Sequence, residues 1–293
     1  MTPKFIRLGP GFLELIGAAA PPCSKTGPQS PESGAEPANP PKASEWAETM
    51  LNFKPSAKQA EVLDLDAKYM ILCCNRQWGK TTTIALKALH RALAVPDQNI
   101  VIISRTKLQA GILIDRACRF AAALGIKIRR AFGQHLSLRL PNGSSIFAVA
   151  HSQDTSVGNT ANVLIVDEAA LVKDQVFATV SPFVGRTHGA IWLMSTPRRQ
   201  TGFFYNIWHS QEDTRWHKIF STIKDCPEID PDFLEMQKQL DPIKYRQDFH
   251  CEFIQPAGRL IDRETLMRMV DPNIDQWQVP QSTINLGRPP DLG

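Results

Sequence analysis

Tyr69-Met70-Ile71-Leu72-Cys73-Cys74-Asn75-Arg76-Gln77-Trp78-Gly79-Lys80-Thr81-Thr82 decides how this chain folds. Six apolar residues in a row, Tyr69 to Cys74, read as a strand buried on both faces. A short polar stretch follows, and from Lys80 to Leu93 the apolar spacing becomes helical. A strand, a loop and a helix that opens on Gly-Lys-Thr form the context of a phosphate-binding loop. Loop amides and the helix N-terminus point at the phosphates, and the helix dipole favours their negative charge. On this basis Cys74, Asn75, Arg76, Gln77, Trp78, Gly79, Lys80, Thr81 and Thr82 are the expected nucleotide contacts. Lys80 reaches the β and γ phosphates and the Thr81 hydroxyl coordinates Mg2+. The pattern GxxxxGK[ST] departs at one place, with Cys74 where its first glycine belongs. A lone Gly-Lys-Thr is also an ordinary helix start, so the assignment leans on what lies downstream.

Downstream stands Val163-Leu164-Ile165-Val166-Asp167-Glu168. Four apolar residues place this strand centrally, and its two carboxylates emerge at the C-terminal end, where α/β sheets bind ligands. Asp167 is the expected metal residue, and Glu168 the group that orients and polarises the attacking water. Ala190 to Ser195 reads as another buried strand, whose Ser195-Thr196-Pro197 end can sense the γ phosphate, although the same tripeptide is a common turn. Upstream, Gln59 carries an amide that can pair with adenine through N7 and the amino group.

Strand-like runs alternate with helical patterns between these motifs, the signature of an α/β P-loop NTPase with a mostly parallel sheet covered by helices. Asn99 to Ser104 reads as a strand and Lys107 to Leu124 as a helix. Ser137 to Leu140 and Ser145 to Ala150 flank a hairpin turn in which Asn142-Gly143 supplies positive φ. The expected divisions are a disordered Pro/Ala/Ser-rich segment over 1–45, an ATPase core over 46–200, a small lid subdomain over 201–255 and a remainder over 256–293.

Composition is permissive. With 293 residues, 43% of them hydrophobic, the chain can bury a sizeable core, and a net charge of +4 allows nucleic acid as a partner without requiring it. The six cysteines show no metal-ligand spacing and read as reduced thiols in a cytosolic protein; the seven histidines are scattered. No run approaches the roughly 20 apolar residues of a membrane span. Phe12 to Ala20 follows Lys4 and Arg7 in the manner of a signal peptide, but Pro10, Gly17 and the downstream nucleotide motifs argue against export.

Taken in order, these elements resemble the ATPase domain of the large terminase subunit, the DNA-packaging motor of tailed bacteriophages. The resemblance covers roughly Asn52 to Phe253. Phe53, Pro55 and Gln59 are similar to its adenine motif, and Val163 to Ala170 to its strand ending in Asp-Glu-Ala. Ser195-Thr196-Pro197 with Gly202 to Tyr205 and Trp208 resembles its coupling motif, and Arg246 to Phe253 the close of the domain. Terminases often replace the first loop glycine, and they carry an arginine early in the loop that is proposed to act in cis as an arginine finger; Arg76 occupies that place. The resemblance implies ATP and Mg2+ as cofactors, double-stranded DNA as cargo, a portal protein and a small terminase subunit as partners, a homo-oligomer on the portal, and the bacterial host cytoplasm as location, with a phage or prophage origin. The large subunit normally continues into an RNase H-like nuclease domain. Thr283 to Arg288 resembles the start of its first strand, but Asn285 stands where an aspartate is expected, so no working nuclease is expected here. Two rival readings remain at this point: a degenerate prophage remnant that binds nucleotide without motor activity, and a fragment of a helicase-like translocase.

Overall fold

A computed structural model of the chain describes residues 42–131, 136–150 and 160–255. Most of the N-terminal segment, the stretch over 256–293 and Asn285 lie outside these residues. The described helices are α1 (Ala43–Leu51), α2 (Ala57–Asp64), α3 (Lys80–Ala94), α4 (Lys107–Ala123), α5 (Asp174–Val180), α6 (Phe203–His209), α7 (Pro231–Leu240) and α8 (Pro242–Phe249). The strands are β1 (Tyr69–Cys74), β2 (Asn99–Ser104), β3 (Arg129–Ala131), β4 (Leu136–Arg139), β5 (Ser145–Ala150), β6 (Val163–Asp167), β7 (Ala190–Ser195) and β8 (Trp216–Ser221).

These eight strands form one sheet in the order β3-β4-β5-β2-β6-β7-β1-β8. From β5 to β8 every pairing is parallel, and β4 alone runs antiparallel to its neighbours β3 and β5. The strand β7 sits between the phosphate-loop strand β1 and the acidic strand β6, an α/β P-loop arrangement of ASCE type. Side chains alternate between two cores, which is why the central strands read as unbroken apolar runs. Met70, Leu72, Ile102, Ile165 and Met194 pack on the face that carries Ile84 and Leu89 of α3 and Leu113 of α4. Ile71, Val101, Val166 and Leu193 pack on the opposite face with Phe183 and Phe204. Cys73, Cys74, Cys118, Cys226 and Cys251 are buried and free of disulfides. Among the described residues no helix is long and apolar enough to cross a membrane.

Within 201–255, β8 pairs in parallel with β1 from Tyr69↔Trp216 to Cys74↔Ser221. As an edge strand it buries only Ile219 and Ser221, and that weak half-buried pattern gives no hint of its partner. What stands beyond the sheet is α7 and α8. The β4–β5 hairpin forms as expected, but only Gly143 takes positive φ, 85°. Asn142 acts through its side chain: Nδ2 donates to the Ala92 carbonyl at 2.8 Å near the end of α3, and Oδ1 accepts from the Ser144 amide at 3.1 Å.

A buried lysine joins α2 to α3. Lys87 is 6% exposed, donates to the carbonyls of Leu63 (3.0 Å) and Leu65 at the C-terminal end of α2, and lies 5.0 Å from the Trp192 ring. Burial pushes its ammonium down from 10.5 to about 8, against the pull of Asp66 and Asp64. Between these two values the unfolded chain binds more protons than the folded one, so stability rises with pH across that window. Relative to Lys87→Met, the wild-type chain is expected to gain up to about 3 kcal/mol between pH 8 and 10.5. Parallel urea titrations of the two proteins at several pH values check this, and a constant difference across the window would refute it.

Candidate functional site

Because β6, β7, β1 and β8 run in parallel, their C-terminal ends emerge along one edge of the sheet. The register sets Cys73 beside Ser195, Cys74 beside Ser221, and Asp167 beside Met194. The loop after β1 turns through left-handed backbone at Gln77 (φ 66°) and Gly79 (φ 93°). At Gly79 the left-handed backbone calls for glycine, and a Cβ there would also press on Gln59 Nε2, 2.9 Å away, which a small shift of that side chain could relieve.

The loop is pinned by the rest of the molecule. The Asn75 amide donates to the Ser221 carbonyl of β8 at 3.2 Å, and the Arg76 amide to the Asp248 carbonyl of α8 at 2.7 Å. Asn75 is fully buried; its Nδ2 donates to the Arg76 carbonyl and its Oδ1 accepts from Cys226 Sγ. Gln59 Nε2 donates to the Trp78 carbonyl at 2.9 Å, and Gln59 Oε1 accepts from the Ser56 amide at 3.0 Å as part of the α2 capping box. The side chains of Cys74 and Trp78 belong to the core, and burial holds the Cys74 thiol well above its usual range. Of the expected nucleotide contacts, Cys74 and Trp78 therefore have only backbone to offer, and the amides of Asn75 and Arg76 are already committed to protein carbonyls.

Two strand ends converge on Lys80, those of β6 and β7. Its Nζ donates to Thr196 Oγ1 at 3.1 Å and lies 3.8 Å from Glu168 Oε1. Ser195 Oγ has a single hydrogen with two acceptors in reach, the Thr196 carbonyl at 2.8 Å and Glu168 Oε2 at 3.4 Å. Burial works against the Lys80 ammonium, but the negative charges around it, Glu168 and Asp167 among them, outweigh burial and raise it above its ordinary value. Asp167 is 6% exposed, and burial first, then the Glu168 charge, pushes its carboxyl up to about 6. Its Oδ1 accepts the Glu168 amide at 2.9 Å. Glu168 itself has φ 51°, a left-handed conformation uncommon outside glycine, which turns its side chain off the strand. Thr82 Oγ1 accepts from Arg116 Nη1, and Thr81 is half-buried at the first turn of α3.

Arg76 is not brought to this cluster. Its Nη1 lies 3.1 Å from Asp248 Oδ2, and Arg198 Nη1 lies 3.0 Å from Asp248 Oδ1. Arg198 Nη1 also donates to Gln247 Oε1, and Gln247 Nε2 returns a bond to the Arg198 carbonyl. Asp248 thus ties the loop after β1, the segment after β7 and α8 together. Its role is not visible in the sequence, where it stands 172 residues from Arg76; an acid preceded by Lys244 and Arg246 was the available signal.

An oxygen-rich metal fits this edge. Thr81 offers a hydroxyl and Asp167 a buried carboxylate that feels the Lys80 charge, and Mg2+ commonly takes one or two protein oxygens with the rest from phosphates and water. Among the described residues no group of three or more His, Cys, Asp or Glu gathers as a self-contained metal cage.

Residues 72–268 match the model of the family described as terminase large subunit, T4likevirus-type, N-terminal. Among solved structures, the large terminase ATPase domain of Thermus phage P74-26 is 20% identical with a TM-score of 0.63, covering 73% of this chain and 99% of that one. The HK97 bacteriophage large terminase is 17% identical with a TM-score of 0.61, covering 72% and 55%. A large terminase from a thermophilic bacteriophage, in complex with ATP-gamma-S, is 15% identical with a TM-score of 0.57, covering 68% and 53%. At these identities the likeness is one of fold. A curated relative, tripartite terminase subunit 3 of equine herpesvirus 1 (strain Ab4p), is 28% identical over 105 residues, 31% of this chain. The chain spans 14% of that relative's length.

Asp248 makes the next prediction. Its side chain is 4% exposed, against 25% for Arg198 and 58% for Arg76. Asp248→Ala is expected to lower the unfolding free energy by about 1.5–3 kcal/mol, since it strands the more enclosed Arg198. Arg76→Ala, which removes a solvent-screened partner, should cost under about 1 kcal/mol. Denaturant midpoints decide it: equal losses in the two variants would contradict the ranking.

Proposed function

The chain belongs to the T4likevirus-type terminase large-subunit family, as its N-terminal ATPase domain, and from that premise we propose that it hydrolyses ATP with Mg2+ and couples the free energy released to moving double-stranded DNA. The observation that carries the proposal is the convergence of Lys80, Glu168, Ser195 and Thr196 at one sheet edge, directly after a glycine-closed loop and a helix N-terminus. The large terminase of a thermophilic bacteriophage, a structural relative, is described in complex with ADP and with ATP-gamma-S, which supports nucleotide as the ligand.

In this mechanism the triphosphate lies along the start of α3, where Gly79, Lys80, Thr81 and Thr82 meet it. Lys80 exchanges its bond to Thr196 for phosphate oxygens. Thr81 and Asp167 would hold the metal, which would supply positive charge to offset that of the phosphates. Glu168 accepts a proton from the attacking water, and Ser195 Oγ, within reach of Glu168 Oε2, keeps that carboxylate turned toward it. Thr196 reports on the γ phosphate through the contact that Lys80 gives up. Gln59 has one N–H and one oxygen lone pair left after its two bonds, which is what a bidentate adenine contact uses. Arg76 serves the γ phosphate by leaving Asp248, so nucleotide binding and the hold on α8 become alternatives.

By family, the proposed partners are a portal protein and a small terminase subunit, with the chain acting as a homo-oligomer in the host cytoplasm. Arg199, exposed after β7, is a proposed DNA-phosphate contact, whereas Arg198 is taken up by Asp248. The side chains of Arg129 and Arg130, the other expected DNA contacts, lie outside the described residues.

Magnesium-dependent ATP hydrolysis, measured with and without double-stranded DNA, tests the proposal. Lys80→Ala is expected to lose nucleotide binding and turnover together. Glu168→Gln should keep binding and lose about 10²–10⁴-fold in turnover. A wild-type chain that binds ATP but never hydrolyses it would reduce the site to a nucleotide-binding remnant.

A further inference from the structure

Ser104 closes β2, the neighbour of β6 on the side away from β7. The pairing of these strands runs from Ile100↔Val163 to Ile103↔Val166, so one further step sets Ser104 beside Asp167. Laterally aligned residues of parallel strands share a face. Two residues back, Ile102 and Ile165 both belong to the core on the α3 side, so Ser104 and Asp167 face the start of α3, where Thr81 stands.

Ser104 is fully buried, and its Oγ has no hydrogen-bond partner among the described residues. The four residues before it, Ile100 to Ile103, are aliphatic and fully buried, and an alanine would close the strand without this cost. A buried hydroxyl with no partner is destabilising, and at Ser104 the described residues supply none. Asp167 Oδ1 accepts the Glu168 amide, and Ser104 Oγ makes no bond to Asp167, so the neighbouring hydroxyl and carboxylate do not satisfy one another.

We infer that Ser104 is a positioning residue for the metal centre: its hydroxyl hydrogen-bonds the water shell of the divalent cation carried by Asp167 and Thr81. The inference rests on the nucleotide and metal site proposed above and adds to it a residue from a strand that holds none of the site's motifs. Groups that orient a metal's ligands and waters commonly change metal affinity about tenfold or more when removed.

The test uses Mn2+ as the probe cation, titrated by electron paramagnetic resonance into the full chain saturated with ADP. Ser104→Ala is expected to weaken Mn2+ binding about tenfold while leaving metal-free ADP affinity unchanged. The same substitution removes an unsatisfied buried hydroxyl, so the metal-free variant should unfold at an equal temperature or about 2–4 °C higher. Mn2+ affinity equal to wild type would overturn the inference alone. Lower thermal stability with parallel loss of metal-free ADP binding would make Ser104 a structural residue and overturn it as well. A wild-type chain that takes up no Mn2+ with ADP would bring down the proposed site and this inference together.

Discussion

Lys80 has to keep a positive charge in a place that water barely reaches, its side chain being 11% exposed, and much of the architecture answers that constraint. A buried ammonium is stable only where anionic and polar oxygens replace its hydration. Here those oxygens come from two other strand ends: Thr196 after β7 and Glu168 after β6. Parallel strands are what make this supply possible, since only then do the ends that carry side chains for chemistry fall on the same edge. The left-handed turn at Glu168 is part of the same solution, because an extended residue there would carry the carboxylate onward with the chain.

The parts of the fold that could be read from residues alone were those with two-sided burial. Tyr69 to Cys74, Asn99 to Ser104 and Ala190 to Ser195 announce themselves as strands because both faces are apolar, and the structure gives them those bounds. Elements whose burial is one-sided or slight were harder. The three residues of β3 carry two arginines, and α8 buries only Asp248 and Phe249, so neither has a periodic apolar signal. The pairing of β8 with β1 belongs to the same class, being a fact about a distant partner that no local pattern encodes.

For the candidate site, the sequence could single out Lys80, Glu168, Ser195 and Thr196, which the structure brings together, because their motifs have particular types at particular spacings. Their supports were not legible. Asp248 contacts Arg76 across 172 positions of chain, and Ser221 reaches Asn75 through a backbone carbonyl that has no residue identity to read. Ser104 shows the reverse case, a residue with a plain chemical identity whose importance depends on which strand lies beside it. In each instance the missing information was topological: the residue types were visible, the neighbours were not.

The pinned loop carries one further consequence. Its backbone is held from three directions, by β8 through Ser221, by α8 through Asp248 and by α2 through Gln59, before any ligand arrives. A loop already ordered would lose little conformational entropy on meeting the proposed nucleotide, whereas a free chain gives up roughly 1–2 kcal/mol for every residue it immobilises. Affinity at such a site is set by electrostatics more than by ordering, so it should respond to ionic strength far more steeply than to viscogens or crowding agents.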